Sequence, residues 1–322
     1  GPATEMKARM ETAAAPPTRE SPASETLLRL MHFLTGEVPS DLTELFRSTL
    51  PSGELWLICS LDASGVYWLE FPGTAVFCVS EDGSVIAGRA CAPHGPDMIE
   101  HLFINQVRPL AASLQGRVLL HGGAVNVNGA AVAFVGPSGA GKSSMVASFA
   151  ATGSEYLSDD SFELRLGPGG FDVVPGHNSI RLLPDAEKTI LARFATKGTQ
   201  PSLSGKRRIH GNDKLRHHSH ALPLACLFLL QQRDPSSECT LRQSLPGVAI
   251  PSLLSQSFLL NVRDEIMMSR HLDFLSTLIR RNLVFDLHYP RDFKRLDEVR
   301  GLVAEHVENL SSDTTAEAAQ TR

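Results

Sequence analysis

Between Glu25 and Leu34 the apolar residues Leu27, Leu28, Leu30, Met31 and Leu34 fall at helical spacing, which predicts a docked amphipathic helix. From Glu54 to Gly88 the rhythm shortens to β-rich runs, Glu54–Ser60, Val66–Phe71, Thr74–Ser80 and Ser84–Gly88. Turn signals at Asp62-Ala63-Ser64-Gly65 and Glu81-Asp82-Gly83 separate them, so the stretch reads as a small antiparallel meander. Helical spacing returns from Pro96 to Gln115, with Pro109 as a predicted kink and Gly116 past the end. Arg117–Leu120 and Ala124–Val127 are strand-like, Asn128-Gly129 is a two-residue hairpin signal, and Ala131–Val135 is the return strand. Leu224–Leu230 is a further strand, and Asp273–Arg281 and Asp292–Asn309 have apolar faces at helical spacing.

These patterns place a domain boundary at Gly116. They predict an α/β chain in which a small α+β domain, 25–116, precedes a larger core, 117–310. The Ala/Pro/Thr/Ser-rich segment 1–24 lacks apolar periodicity and reads as disordered, with Gly1-Pro2 as the remnant of a cleaved tag. The tail, 311–322, is small and polar and is expected to fray. Of the 322 residues, 42% are hydrophobic and 20% charged, an ordinary globular balance. A net charge of -5 offers no global field for a nucleic-acid backbone. The longest strongly apolar stretch, Leu222–Leu230, is nine residues, half of what a bilayer requires, so no membrane association is expected. The five cysteines are widely spaced without a CxxC, which fits a reducing cytoplasm better than a disulfide framework.

The chemistry concentrates after the hairpin. Gly136-Pro137-Ser138-Gly139-Ala140-Gly141-Lys142-Ser143 is a full GxxxxGK[ST], preceded by a strand and followed by Ser144 and an apolar helix that ends near Gly153. Glycines let successive N–H groups converge on phosphates, the helix N-terminus adds positive potential, Lys142 reaches the β and γ oxygens, and Ser143 can ligate Mg²⁺. The strand Leu224–Leu230 ends in Gln231-Gln232 rather than the Asp that usually holds Mg²⁺ through water. Instead Glu155-Tyr156-Leu157-Ser158-Asp159-Asp160 brings two adjacent carboxylates, the second eighteen residues after Lys142. Neighbours on a strand point to opposite faces, so one carboxylate can face the metal and the other an acceptor hydroxyl. A solvated turn pair is the competing reading.

The segments LHGGAVNVNGAAVAFVGPSGAGKSS and YLSDDSFEL resemble the HPr kinase/phosphorylase superfamily. The resemblance is specific over 119–164 and looser to about His306, where VFDLHYPRDFKRLDEV looks like the closing segment of kinase-related members. It implies an HPr-kinase-like P-loop core, a mostly β sheet covered by helices, with ATP and Mg²⁺ as cofactors. It also implies transfer of the γ-phosphoryl group to a serine-type hydroxyl of a peptide or protein. His121, Lys142, Ser143 and Asp159-Asp160-Ser161-Phe162-Glu163 stand at positions matching the family's active site. By that likeness Asp160 is the proton acceptor, Ser143 a magnesium ligand and His121 a residue near the phosphates, which leaves Asp159 to the metal. The family's later magnesium-binding Glu has no clear counterpart in Pro175–Arg181. The acceptor is open among a carrier protein, a precursor peptide and free serine, and a homo-oligomer is compatible with all three.

Lys206-Arg207-Arg208 lies in the polar stretch 197–220, long enough for a loop over the site, where a cation could meet the transferring phosphoryl group; a solvated basic run is the competing reading. His217-His218-Ser219-His220 lacks metal-ligand spacing. His177 and Arg181 are candidates for the pocket edge, and Trp56 and Trp68 for the small domain's core. Leu203-Ser204-Gly205-Lys206 only faintly echoes the signature of ABC-transporter ATPases. A nucleotide-binding regulatory module that transfers nothing is the rival function.

Overall fold

The computed structural model describes residues 10–11, 31–34, 37–50, 52–194, 198 and 205–320. The chain divides into two compact units, 1–117 with 258–270, and 118–257 with 271–322.

The first unit is built on a seven-stranded sheet of β1 (Met10–Glu11), β2 (Met31–Leu34), β3 (Thr43–Thr49), β4 (Leu55–Leu61), β5 (Tyr67–Phe71), β6 (Ala75–Val79) and β7 (Ile86–Ala90). Its order is β1-β2-β7-β6-β5-β4-β3, antiparallel except for the parallel pair β2–β7. β5 and β6 are buried on both faces, with Trp68, Val76 and Cys78 in one layer and Leu69, Phe71 and Phe77 in the other. Trp68 donates its indole N–H to Asp62 (3.0 Å), whose carboxylate also organises the turn at Ser64 and Val66. The helix predicted over Pro96–Gln115 is α1 (Pro96–Leu102), a π-helical turn Phe103–Val107 and α2 (Arg108–Leu114). Pro109 has no N–H to give to the ladder, and the wide turn directly before it accommodates the break. Residues 258–270, which the sequence reading left in the core, belong to this unit: Leu260 N–H donates to Ser113 Oγ (3.0 Å) and Asn261 Nδ2 to the Tyr67 hydroxyl (3.1 Å).

The second unit carries β8 (Val118–Val127), β9 (Ala130–Val135), α3 (Lys142–Ala151), β10 (Tyr156–Ser158), β11 (Ser161–Gly167), β12 (Gly170–Val174) and β13 (Ser179–Leu182). Then come α4 (Pro184–Ile190), β14 (Arg207–His210), β15 (Leu222–Arg233), β16 (Thr240–Gln243), α5 (Pro246–Ser255), α6 (Glu265–Arg280, in this unit from His271 on), β17 (Val284–Pro290) and α7 (Leu296–Gln320). Pairings run β10-β8-β11-β12-β15-β17-β16, and β9 joins both β8 and β15, so β8, β11, β12, β15 and β9 close a ring. β9, β15 and β17 are parallel, β9 ending opposite Leu229 while β15 and β17 run on together to Arg233 and Pro290, and β15 is apolar through Leu230 because it is covered on both faces. One apolar cluster packs α3 and α7 against Phe134, Phe228 and Leu287; a second fills the ring and packs α5 and the end of α6. The fold is therefore mixed α/β, with one large mixed sheet and one separate, mostly antiparallel sheet. No helix among the described residues is long and apolar enough to cross a membrane.

Several expectations are corrected. Met31–Leu34 is a strand rather than the end of a helix, and 25–30 lie outside the described residues. Those four residues satisfy either period, and the open edge of β7 offers backbone partners that decide the outcome. Met10–Glu11 forms a short strand within the segment 1–24, and α7 runs past Ser311 to Gln320. Asp159-Asp160 is not on a strand but in the bend between β10 and β11.

That bend is imposed by β8, which pairs with β11 over Val118–His121 and with β10 at Ala124 and Val125, changing partner at Gly122-Gly123. A Cβ on Gly122 would lie 2.5 Å from the carbonyl oxygen of Phe134 and 2.7 Å from the Phe162 ring. Gly122→Ala should cost about 1–3 kcal/mol through overpacking. Gly129→Ala, a positive-φ hairpin glycine with open space around it, should cost about 1 kcal/mol. Chemical denaturation of both variants checks the order.

Candidate active site

The loop Gly136–Gly141 leaves the carboxyl end of β9 and enters α3 at Lys142, where parallel strands conventionally present a ligand. Gly139 (φ 81°) and Gly141 (φ 92°) take the left-handed conformation that turns N–H groups inward. At Gly141 a side chain would also strike Tyr289 Oη and Gln232 Nε2, which lie directly behind the loop. The Tyr289 hydroxyl donates to the Ala140 carbonyl, and Gln232 donates to Tyr289 (3.3 Å). Sequence reading noted Gln232 only as an absent Asp and missed Tyr289; the parallel pairing of β15 with β17, not a local motif, brings them together.

Lys142 is buried, its ammonium donating to the carbonyls of Gly136 (2.7 Å) and Pro137 (3.0 Å). Burial and then the charge of Lys206 pull it down to about 8. Lys206 Nζ reaches Ser143 Oγ (3.4 Å), and the Ser143 hydroxyl is among the groups that act on the Asp159 carboxyl. Ser138 and Ser144 flank this core of the loop, and Pro137 accepts the N–H of Ala140 (3.1 Å).

Arg181 holds both carboxylates. Its backbone N–H donates to Asp159 Oδ2 (2.6 Å), and its Nη1 donates to Asp160 Oδ2 (2.8 Å) and Oδ1 (3.1 Å). Burial, and then the neighbouring Asp160, push Asp159 up to about 6. Burial also pushes Asp160 up, but Arg181, with His121 and Arg208 behind it, outweighs that and holds it at about 2. The pair is thus one reluctant and one committed anion, each set by its surroundings. Asp159 Oδ1 is buried with no protein hydrogen-bond partner. An orphaned carboxylate oxygen beside a serine hydroxyl fits the oxygen-donor chemistry of Mg²⁺. Among the described residues no group of three or more His, Cys, Asp or Glu forms a metal cluster, so such an ion would draw its remaining oxygens from phosphates and water.

His121 Nδ1 lies 2.8 Å from the carbonyl of Asp160, which can only accept, so Nδ1 carries the hydrogen. Burial and then Lys142 hold the ring down at about 4, and it is neutral. Of the basic run, Lys206 meets Ser143, Arg208 binds Ser179 Oγ (2.9 Å) and its charge acts on Asp160, while Arg207 pairs with Glu187 of α4 (2.9 Å). Arg207 and Arg208 belong to β14, paired with β13; the whole run is not a loop. Glu163 sits on β11 against Arg165 (3.3 Å). His217 binds the Leu157 carbonyl (3.1 Å) and His218 binds Glu155 (2.7 Å), so that cluster disperses into the scaffold.

No protein-family model matches the chain, and no curated protein matches it. Among solved structures it is similar to the HPr(Ser) kinase/phosphatase from Coxiella burnetii, with 12% identity and a TM-score of 0.34, over 63% of this chain and 99% of that chain.

Proposed function

We propose that this chain is an ATP-dependent phosphotransferase that moves the γ-phosphoryl group to a serine-type hydroxyl of a peptide or protein. The observation that carries the reading is the convergence of Lys142, Ser143 and the orphaned oxygen of Asp159 at the mouth of a glycine loop on a helix N-terminus. The loop amides and Lys142 hold the phosphates, and Ser143 and Asp159 hold Mg²⁺, which when bound neutralises phosphate charge. Lys206 adds a cation on the same side. Asp160, kept ionised by Arg181, receives the acceptor hydroxyl and takes its proton. A weak base suffices where the transition state is loose and the proton moves late. Neutral His121 pins the Asp160 carbonyl and with it the bend. Catalysis on this reading is positioning and electrostatics.

A second reading, nucleotide binding without transfer, is favoured by one feature: Arg181 already engages both oxygens of Asp160. Incubation with γ-labelled ATP and candidate peptides, carrier protein or free serine separates the two and identifies the acceptor. Label in none of them, with nucleotide bound, supports the second.

Lys142→Ala should lower transfer by about 10²–10³, since it removes a cation aimed at developing charge. Unchanged turnover contradicts the loop's role. Asp160→Asn should bind a fluorescent ATP analogue normally and lose about 10²–10⁴ in transfer. A dead Asp159→Asn beside a nearly normal Asp160→Asn would reverse the two roles.

Asp159 also has a stability signature. Its carboxyl is raised from 3.8 to about 6, so the folded chain holds a proton that the unfolded chain releases between those values. The stability this group contributes is full below its unfolded pKa and disappears as pH rises through the folded one. At neutral pH its buried charge is therefore a cost, on the order of 1–3 kcal/mol. Asp159→Asn should raise the melting temperature at pH 7.5 while abolishing the Mg²⁺-dependent part of nucleotide affinity. A lowered melting temperature at that pH would count against the assignment.

A further inference from the structure

The carboxyl end of β17 carries a second polar cluster on the face opposite Tyr289. His288 and Asp286 are buried there, at 5% and 6% exposure, between Arg233 at the end of β15 and Arg242 on β16. Arg233 donates to His288 Nδ1 from both Nε (2.9 Å) and Nη2 (2.7 Å). Nδ1 is thereby an acceptor, which only a neutral ring can offer, so its one hydrogen sits on Nε2; burial and then the two arginine charges pull the ring's pKa down in the same sense. That N–H faces Arg242 Nη2 at 3.5 Å, a donor against a donor. Among the described residues the carboxylate of this cluster is Asp286, which approaches the other side of Arg242, with Oδ2 3.9 Å from Nε. Two arginines against one carboxylate leave a surplus positive charge around two convergent donors.

From this juxtaposition we infer that His288 Nε2–H and Arg242 form a subsite for a carboxylate of the acceptor. The inference rests on the phosphotransferase reading and names a feature of its substrate. A carboxylate oxygen between the donors resolves their mismatch, and the surplus charge matches a single anion. Position points to the acceptor rather than the nucleotide. Along β15, Gln231 stands opposite His288 and Leu229 opposite Val135, which puts His288 level with the start of the glycine loop. Two strand spacings separate β9 from β17, about 10 Å. The subsite is thus displaced sideways from the phosphate loop by about three residues of extended chain. Arg233 is a positioning residue, because it fixes the tautomer that donates.

The test uses the full chain, with ¹⁵N-labelled histidine and arginine side chains observed by NMR. Three probes are titrated: Ac-Ala-Ser-Ala-Asp-NH₂, Ac-Ala-Ser-Ala-Ala with a free carboxyl terminus, and Ac-Ala-Ser-Ala-Ala-NH₂. The His288 Nε2 and Arg242 signals should move with one or both carboxylate peptides and at least tenfold less with the neutral one. The two charged arms tell a side-chain from a terminal carboxylate. In Arg242→Ala, an exposed position, the preference should vanish, and in Arg233→Leu His288 should lose its fixed tautomer. Equal response to all three peptides, or a preference that survives in Arg242→Ala, overturns the inference. Nucleotide binding is read separately, so a chain that binds these peptides but no ATP would refute the phosphotransferase reading and leave the carboxylate subsite standing.

Discussion

Two carboxylates on consecutive residues, buried against a lysine-bearing loop, repel each other in a medium that screens poorly, and the second unit is arranged around relieving that repulsion. Arg181 is the device. Its main chain donates to Asp159 and its side chain to Asp160, so one residue on β13 settles the position of both. The settlement is unequal. Asp160 has the guanidinium and stays ionised, while Asp159 has a single amide, a serine hydroxyl and an unanswered oxygen. Environments that drive two neighbouring acids apart are how one fold assigns different tasks to the same side chain.

The sheet delivers this pair. β8 is ten residues long and cannot keep one partner through its whole length, because the chain returning after α3 supplies β10 and β11 as separate short strands. The change of partner produces the bend, and the bend points two acids toward the mouth of the loop instead of alternating them across a sheet. Gly122-Gly123 lets the backbones meet closely enough for this, and the Gly122 N–H also donates to the Asp160 carbonyl (3.2 Å). His121 donates to the same oxygen, so the His-Gly-Gly triplet and the Asp pair form one hydrogen-bonded corner.

What was legible in the sequence was what local geometry dictates. Gly139 and Gly141 announce their left-handed backbone, Asn128-Gly129 its hairpin (φ 54° and 85°), and the alternation of 54–88 its meander. What was not legible depended on residues distant in the chain. Arg181 could be named only as a candidate for the pocket edge, and its hold on both acids follows from the pairing of β13 with β14, which lays it beside the bend. Tyr289 and Gln232 support Gly141 because β15 and β17 happen to be neighbours. Residues 258–270 look like any segment between helices, and only Leu260 against Ser113 and Asn261 against Tyr67 ties them to the first unit. Short segments such as Met31–Leu34 carry too few residues for either period to prevail, and an available strand edge decides.

Charge makes the same point at the scale of the whole chain. A net charge of -5 argues against polyanions when read as a total. Around the bend, however, Lys142, Lys206, Arg181 and Arg208 gather about the adjacent carboxylates of Asp159 and Asp160. Lys142 is discouraged by its burial and then by Lys206, and is drawn back by Asp159 and Asp160. This local excess of positive charge is the physical basis of the proposed attraction for a compact polyanion carrying its own divalent ion. A total charge therefore does not decide what a chain attracts, because a small anion responds to the potential that local geometry has concentrated.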